Sequence, residues 1–254
     1  MAFTLYNAPQ STCSQRVRFV LNAKQLPFDE VKLDLLAGDQ LKPDYLKLNP
    51  NGVVPTLDHD GEIVIDSSVI IEYLDEVAPQ PENFTPQAPA ERAKMRALMR
   101  FIDEMPAAAV RVPTFNLAFL PRFQAMSEAE FLAFAESKPL RKEFMLGMGR
   151  KGFPEKEMNA ALDRLARTLV RMGDSIAASG GPWLLGRKLS LADIAVMPAI
   201  VRMADLGLDK MWAEKPAIAR WYDAIRAHPA FAPTYYFGSL LSERFPHLKE
   251  RAIA

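Results

Sequence analysis

The chain has 254 residues, of which 49% are hydrophobic and 24% are charged, an ordinary composition for a globular protein of one large domain or two smaller ones. Lys and Arg together number 31, as do Asp and Glu, so no basic excess favours nucleic acid or an anionic membrane as a partner. No apolar run reaches membrane-spanning length and no signal sequence opens the chain, so we expect a cytoplasmic protein.

The chain contains one cysteine, Cys13, which excludes an internal disulfide and any multi-cysteine metal site. The three histidines, His59, His228 and His247, are scattered along the sequence and form no ligand cluster. We therefore expect no bound metal. A lone cysteine is either a small buried apolar side chain or a reactive thiol, and its sequence surroundings distinguish the two.

Cys13 lies where a first strand should turn into a first helix. Residues 3–6 alternate like a half-buried strand, and Val17, Val20 and Leu21 follow helical spacing. The run Ser11-Thr12-Cys13-Ser14 between them falls at or just before the helix N-terminus. Free backbone N–H groups and the positive end of the helix dipole favour an anion there, and a thiolate is one such anion.

The next elements predict a compact α/β unit. Residues 28–34 form a second strand, 37–47 are polar and irregular, and Asn-Pro-Asn-Gly-Val-Val-Pro-Thr-Leu at 49–57 leads into a third strand. Because proline cannot donate to a strand ladder, we predict a cis Val54–Pro55 bond. The sequence at 58–61 predicts a hairpin turn, 62–65 a fourth strand, and 67–77 a helix that Asp66-Ser67 caps.

This order makes the first two strands parallel and the last two antiparallel, in a unit over residues 1–79. Four prolines between positions 79 and 89 then mark a linker over 80–89. Beyond it, helical patterns occupy 90–105, 128–135, 156–177, 191–206 and 217–227, without a convincing strand. The sequence thus predicts an all-α domain over 90–254, in which Ser190-Leu191-Ala192-Asp193 has the form of a capping box.

Four segments in this order resemble the cytosolic glutathione transferases. They are Ser-Thr-Cys-Ser-Gln-Arg-Val-Arg at 11–18, the proline segment at 49–57, Asp-Ser-Ser-Val-Ile-Ile-Glu-Tyr-Leu at 66–74, and Ser-Leu-Ala-Asp at 190–193. The resemblance covers nearly the whole chain. It implies a thioredoxin-like α/β N-terminal domain, an all-α helical-bundle C-terminal domain, glutathione as co-substrate, a homodimer, and a detoxification-type activity on a small hydrophobic electrophile.

The resemblance also implies roles for particular residues. Val54, before the cis Pro55, should pair its backbone with the cysteinyl part of glutathione. Asp66 and Ser67 match the acidic-Ser pair that holds the γ-glutamyl end. Gln40 lies where the family often binds the glycine carboxylate.

Subclasses of the family differ in the residue that faces the glutathione sulfur, and three assignments stay open. In the zeta-type isomerase motif, Ser11 takes the hydroxyl role, with Cys13 nearby. In the reductive dehalogenase motif, Ser11 and Cys13 supply the hydroxyl and the thiol. In the bacterial lignin β-aryl etherase motif, Ser14 takes the hydroxyl role and Cys13 falls where those enzymes have asparagine.

The etherase resemblance has a second location. The segment at 149–158 and the long polar insertion at 121–147 are similar to those of the etherases. Phe115, Phe119 and Phe123 recur at helical spacing, which is typical of a core and also suits the wall of an aromatic pocket. The function implied is attack of a glutathione thiolate on an aromatic electrophile, with β-aryl ether cleavage as one form. The alternatives are a reductive dehalogenase, a cis-trans isomerase and a non-catalytic glutathione-binding module.

Overall fold

The computed structural model describes residues 2–251. Its N-terminal part is a four-stranded sheet in the spatial order β2-β1-β3-β4. The strands are β1 (Phe3–Asn7), β2 (Phe28–Lys32), β3 (Thr56–His59) and β4 (Glu62–Ile65). Strands β1 and β2 are parallel through the crossover helix α1 (Thr12–Ala23), and β3 and β4 are antiparallel, which confirms the predicted strand order.

Two further helices complete this part, α2 (Pro43–Leu48) and α3 (Ser67–Val77), with a 3-10 turn at Asp39–Leu41. The predicted irregular segment at 37–47 is therefore wrong where it overlaps α2. Pro43 opens that helix, where its fixed φ is already helical and its missing N–H costs nothing. Six residues are too few to show a helical period in the sequence.

The two turns that frame β3 follow the prediction. The Val54–Pro55 bond is cis, and a second cis bond, which the sequence analysis missed, joins Gln80 and Pro81. Between β3 and β4, Asp60 and Gly61 have φ of 53° and 93°. This pair of left-handed residues suits the twist of a two-residue hairpin.

The rest of the described chain is helical apart from one isolated bridge between Trp183 and Gly186. The helices are α4 (Pro89–Glu104), α5 (Pro106–Ala109), α6 (Arg111–Thr114), α7 (Leu120–Gln124), α8 (Glu128–Glu136), α9 (Lys142–Met148), α10 (Glu155–Ser179), α11 (Leu191–Asp205), α12 (Pro216–Arg226), α13 (Phe231–Thr234), α14 (Leu241–Arg244) and α15 (His247–Arg251). A π-helical turn at Phe115–Phe119 joins α6 to α7, and a 3-10 turn occupies Asp209–Trp212.

The five predicted helices of this part are confirmed, each end lying within two residues of its predicted position. The helices that the sequence analysis missed in this part have four to seven residues each, and the π-helical turn has five. Segments this short fall below the length at which helical periodicity is visible in a sequence. Over residues 2–251, no helix combines the length and the apolar character that a bilayer crossing needs.

Helix α11 forms the centre of the helical part and is buried from Leu191 to Met203. The Asp193 carboxylate in its first turn accepts hydrogen bonds from the Ser190 N–H at 3.0 Å and hydroxyl at 2.6 Å, and from the Trp221 Nε1–H at 2.8 Å. The carboxylate side of the predicted capping box is therefore confirmed. The same carboxylate ties α11 to α12.

Helix α1 joins the two parts through buried cations. Arg16 Nη1 lies 2.6 Å from Asp103 of α4, and Arg18 Nε donates to the carbonyl oxygen of Thr234 at 3.1 Å. Lys24 pairs with a buried carboxylate of α3 at 2.7 Å. The Arg16 and Arg18 contacts fix the sheet part against the helical part, whereas the Lys24 pair lies within the sheet part. A cavity lies between the two parts.

Candidate active site

A cavity of about 250 Å³ lies between the sheet part and the helical part. Its floor is formed by the turn before α1, the loop after β2 and the segment before β3. Its roof is formed by the π-helical turn, α6, the turn between α8 and α9, and α14. Four of the predicted site residues line it: Ser11, Cys13, Gln40 and Val54. The predicted residues Ser14, Pro55, Asp66 and Ser67 do not contribute to its wall.

The N-terminus of α1 faces the cavity. Ser11 is the N-cap residue, and its Oγ accepts the Ser14 N–H at 3.3 Å, while Thr12 and Cys13 occupy the first helical positions. All three are partly exposed and line the wall. Ser14 is fully buried, and its Oγ accepts the Ala8 N–H at 3.4 Å. The fold therefore presents Ser11 and Cys13 to the cavity and packs Ser14 behind them.

Val54 presents free backbone groups to the cavity. Neither its N–H nor its carbonyl oxygen has a hydrogen-bond partner within residues 2–251. The preceding Val53 carbonyl is held by the Tyr45 hydroxyl at 2.6 Å and by Asn49 Nδ2 at 3.0 Å. This anchoring leaves Val54 as an open strand edge. The sequence analysis missed Tyr45, because it lies in the segment predicted to be irregular.

Gln40 lies at the side of the cavity nearest the loop after β2. Its side chain is buried, and Nε2 donates to the Leu35 carbonyl oxygen at 3.4 Å. Its Oε1 has no partner in the described part of the chain. A buried amide oxygen that lacks a hydrogen-bond donor suits a polar ligand that can donate to it.

Asp66 and Ser67 begin α3, outside the cavity wall. Asp66 is the N-cap with a φ of 72°, and its Oδ1 accepts the N–H groups of Ser68 at 2.9 Å and Val69 at 3.3 Å, which confirms the predicted cap. Ser67 Oγ accepts from Arg16 Nη1 at 3.3 Å. The Ser67 backbone N–H has no partner among the described residues and is a free donor at the helix start.

The roof of the cavity is aromatic. Phe115, Phe119 and Phe123 all line it. Phe115 and Phe123 are stacked with ring centroids 6.1 Å apart, and Phe119 meets Phe245 edge-on at 5.4 Å. Phe123 is almost fully buried and also belongs to the core. Both interpretations of the helical spacing therefore apply, since the phenylalanines serve as core and as cavity wall. Such a wall suits a flat aromatic molecule.

The roof also carries cations that the sequence analysis missed. Arg111, Lys138 and Arg141 line the cavity. Burial lowers the pKa of Arg111, and the neighbouring Arg141 lowers it further, while Cys13 acts in the opposite direction. Burial also lowers the pKa of Lys138. These residues lie in no recognisable motif, so no sequence signal indicated them.

The fold defines a class of protein: a thioredoxin-like sheet part joined to a helical bundle, with a cavity between them. A family model described as the glutathione S-transferase N-terminal domain matches residues 5–82, and one described as the C-terminal domain matches residues 155–224. The chain belongs to the glutathione S-transferase family. It is a glutathione transferase, and glutathione is its co-substrate.

Relatives within the family differ in function. Protein LigF of Sphingobium sp. (strain NBRC 103272 / SYK-6) is 29% identical over 91% of each chain. The crystal structure of β-etherase LigF superposes with a TM-score of 0.82 at 28% identity, covering 92% of this chain and 99% of that one. A probable maleylacetoacetate isomerase of Vibrio cholerae serotype O1 is 30% identical over 91% of this chain and 94% of its own. FtsZ-localized protein A of Caulobacter vibrioides is 28% identical over 98% and 95%.

Proposed function

We propose that this transferase attacks aromatic electrophiles with glutathione and cleaves β-aryl ethers. The observation that carries the proposal is the aromatic roof of Phe115, Phe119 and Phe123, which faces the N-terminus of α1 across one cavity. The similarity to the β-etherase LigF in sequence and structure supports this substrate class.

The thiol of free glutathione has a pKa of about 8.5, so little thiolate exists at neutral pH. In our proposal the Ser11 hydroxyl donates a hydrogen bond to the sulfur. Its oxygen caps α1 by accepting from Ser14 N, which leaves its O–H free to donate. The helix dipole adds to this stabilisation of the thiolate. Ser14, whose hydroxyl is buried against the Ala8 N–H, supports the turn that positions Ser11.

The tripeptide is held along the sheet part. The free backbone of Val54, kept open by the following Pro55, pairs with the cysteinyl residue as an added strand would. The Ser67 N–H and the Asp66 carboxylate hold the charged γ-glutamyl end. Gln40 binds the glycine end through its side-chain amide.

In the reaction, the thiolate sulfur attacks the carbon that bears the aryloxy group. A carbon–sulfur bond forms, the carbon–oxygen bond breaks, and the aryl group leaves as a phenolate that takes a proton from water. The step consumes one glutathione and is redox-neutral. The products are a thioether of glutathione and a phenol.

The test is an assay of a β-aryl ether with glutathione, following thiol loss and phenol release together. We expect one phenol for each thiol consumed. Ser11→Ala should lower kcat by about 10²-fold and reduce thiolate absorbance in the near ultraviolet, and Ser14→Ala should have a smaller effect on both. Equal, small effects of the two changes would mean that the helix N-terminus alone stabilises the thiolate. A lack of phenol release would contradict the etherase assignment.

A second candidate is a reductive reaction, favoured by the position of Cys13 in the cavity wall. After glutathione displaces a halide, the Cys13 thiolate attacks the thioether sulfur, and the electron pair of the carbon–sulfur bond takes a proton. A mixed disulfide of Cys13 and glutathione results, and a second glutathione releases it as glutathione disulfide. Mass spectrometry should detect the Cys13 adduct during turnover of a chlorinated hydroquinone. No adduct, with full activity of Cys13→Ala, would exclude this reaction.

Assays that follow glutathione consumption with several substrates separate the remaining alternatives. A cis-trans isomerase converts a maleyl compound without changing the glutathione pool. A non-catalytic module binds glutathione but consumes none with any electrophile.

We further infer a cytoplasmic homodimer, since the resemblance to the cytosolic glutathione transferases favours both the location and the assembly. We place the thioredoxin-like domain at 1–79, the linker at 80–89 and the helical domain at 90–254. The end of α3 at Val77 and the start of α4 at Pro89 support these boundaries. Sedimentation equilibrium tests the homodimer, and limited proteolysis tests the domain boundaries.

A further inference from the structure

Three cations of the cavity roof have no carboxylate at ion-pair distance among the described residues, and a fourth, Arg244, donates to the Gln10 side-chain oxygen at 3.5 Å. Arg111, Lys138 and Arg141 form no ion pair with any residue between 2 and 251. Arg111 makes no side-chain hydrogen bond there either, and the only one from Arg141 goes to the carbonyl of its neighbour Leu140, at 3.1 Å. This is unlike the buried cations of α1, each of which has an acidic partner within 4 Å.

Lys138 is the most enclosed of the three. Its side chain belongs to a residue that is 7% exposed, and its Nζ lies 4.1 Å from the centroid of the Phe134 ring. Burial and the nearby Arg122 lower its pKa. A buried cation without a counter-charge is unfavourable, so the ligand-free site holds positive charge that an incoming anion would neutralise.

The other charged groups of the wall do not supply that anion. Asp34 is the one carboxylate in the cavity lining, and its Oδ1 accepts the N–H groups of Leu36 and Ala37 at 2.8 and 3.1 Å. Arg202 is paired with Asp205 at 3.9 Å. Asp103 of α4 acts electrostatically on Arg111 without forming an ion pair with it and is itself paired with Arg16, so the roof keeps an excess of positive charge.

The cations lie next to the reacting end of the cavity. Arg111 begins α6, beside the aromatic π-helical turn, and interacts electrostatically with both Cys13 and Arg141. Arg141 belongs to the turn between α8 and α9. This turn lies against the loop before Val54, as shown by the short distance of 3.3 Å that would separate a Cβ atom added at Gly52 from the Pro139 ring. An aromatic ring under the phenylalanines would thus have two guanidinium groups within its reach.

We infer that the electrophile is an aromatic molecule that carries a carboxylate, held by Arg111 and Arg141. The inference rests on the proposed function, since it specifies the substrate class of the same cavity. Guanidinium groups suit this role because they bind carboxylates through paired hydrogen bonds. Lys138 adds to the positive potential from the opposite side of the same turn. The carboxylates of glutathione itself are assigned to the sheet part, at Gln40 and Ser67.

The test compares two substrates that react at the same carbon: 4-chloro-3-nitrobenzoate and 4-chloro-3-nitrobenzamide. In both, the thiolate displaces chloride and forms an aryl thioether. Each kcat/KM is divided by the uncatalysed rate with glutathione, which removes the difference in intrinsic reactivity. We expect the wild type to prefer the benzoate by about tenfold, and Arg111→Gln and Arg141→Gln each to remove most of that preference.

Lys142→Gln is the matched control, because Lys142 follows Arg141, is absent from the cavity wall and pairs with Glu136 at 3.6 Å. It should keep the full preference. A wild type that turns over both substrates without preference would overturn the carboxylate site and leave the proposed transferase function intact. Variants that weaken glutathione binding and lower both rates equally would show that the cations serve glutathione, and would also overturn it.

A binding measurement decides the question without turnover. Calorimetry compares the two thioether products, S-(4-carboxy-2-nitrophenyl)glutathione and its carboxamide analogue. We expect the wild type to bind the carboxylate product about tenfold more tightly than the carboxamide product, and Arg111→Gln to bind the two products equally. Equal affinity of the wild type for both would contradict the inference. Binding of both products with no reaction of either substrate would instead contradict the proposed chemistry.

Discussion

Two groups of buried cations in this protein have opposite surroundings. On α1, Lys24 lies 2.7 Å from Asp75 and also donates to the carbonyl oxygens of Ala78 and Glu82. In the cavity roof, Lys138 is buried, its ammonium lies over the face of Phe134, and it forms no ion pair within residues 2–251. The first group has its charge neutralised within the fold and holds the fold together. The second keeps its charge available for a ligand, at a cost to the stability of the ligand-free protein.

The largest expected effect comes from removing a neutralised cation. Lys24→Met should lower the free energy of unfolding by about 3–5 kcal/mol, because it leaves the Asp75 carboxylate buried without its partner. Both side chains are at most 1% exposed, so water cannot replace the lost contact. Urea denaturation followed by circular dichroism measures the change.

Lys47→Met is the matched control for this prediction. Lys47 pairs with Asp44 at the same distance, 2.7 Å, but its side chain is 74% exposed. We expect its removal to change the unfolding free energy by no more than about 0.5 kcal/mol. Equal effects of the two changes would show that burial does not distinguish the pairs.

An intermediate effect is expected at Arg16, which joins α1 to α3 and α4. Arg16→Met should destabilise the protein by about 2 kcal/mol, less than Lys24→Met, because the Asp103 carboxylate is 31% exposed and can be hydrated. It should also weaken glutathione binding, since Arg16 holds the Ser67 hydroxyl at the start of α3. Denaturation and glutathione calorimetry of the same variant test both parts. Lost stability with unchanged glutathione affinity would mean that the Arg16–Ser67 contact does not support glutathione binding.

The contrast also explains which parts of the fold the sequence could predict. The strand order, the cis Val54–Pro55 bond and the Asp66 cap depend on residues that act on their own backbone, so local rules indicate them. The missed helices are short segments whose conformation depends on packing. Helix α2 and the π-helical turn at Phe115–Phe119 are examples, since neither is long enough to show a period.

For the site, the sequence indicated the sheet side and the phenylalanines of the roof, and missed the cations of the roof. Ser11, Cys13 and Val54 belong to recognisable segments, whereas Gln40 was assigned from its place in the loop after β2, and all four line the cavity. The sequence did not show that Ser14 turns inward, because successive residues at a helix start point in different directions and only the packing of α1 on the sheet selects among them. Arg111 lies on α6, whereas Lys138 and Arg141 lie in the turn between α8 and α9, and only the tertiary fold brings these two places together.

The smallest effect, and one of opposite sign, is expected for Lys138→Met. The change removes a buried charge that has no partner, so the unfolding free energy at neutral pH should rise by about 1 kcal/mol instead of falling. The pKa of Lys138 is lowered in the folded state. As the pH rises toward the ordinary lysine pKa, the unfolded chain therefore retains the proton longer than the folded protein does, and the contribution of Lys138 to stability increases with pH.

Urea denaturation of the wild type and Lys138→Met at about pH 7 and about pH 9.5 measures both parts of this prediction. The advantage of the variant should shrink as the pH rises, because the folded wild type releases the Lys138 proton more readily than the unfolded chain does. Lys142→Met serves as the control, since Lys142 is exposed and should change neither value much. If Lys138→Met destabilised the protein as Lys24→Met is expected to, the ammonium in the roof would be satisfied within the fold, and the two groups of cations would not differ in kind.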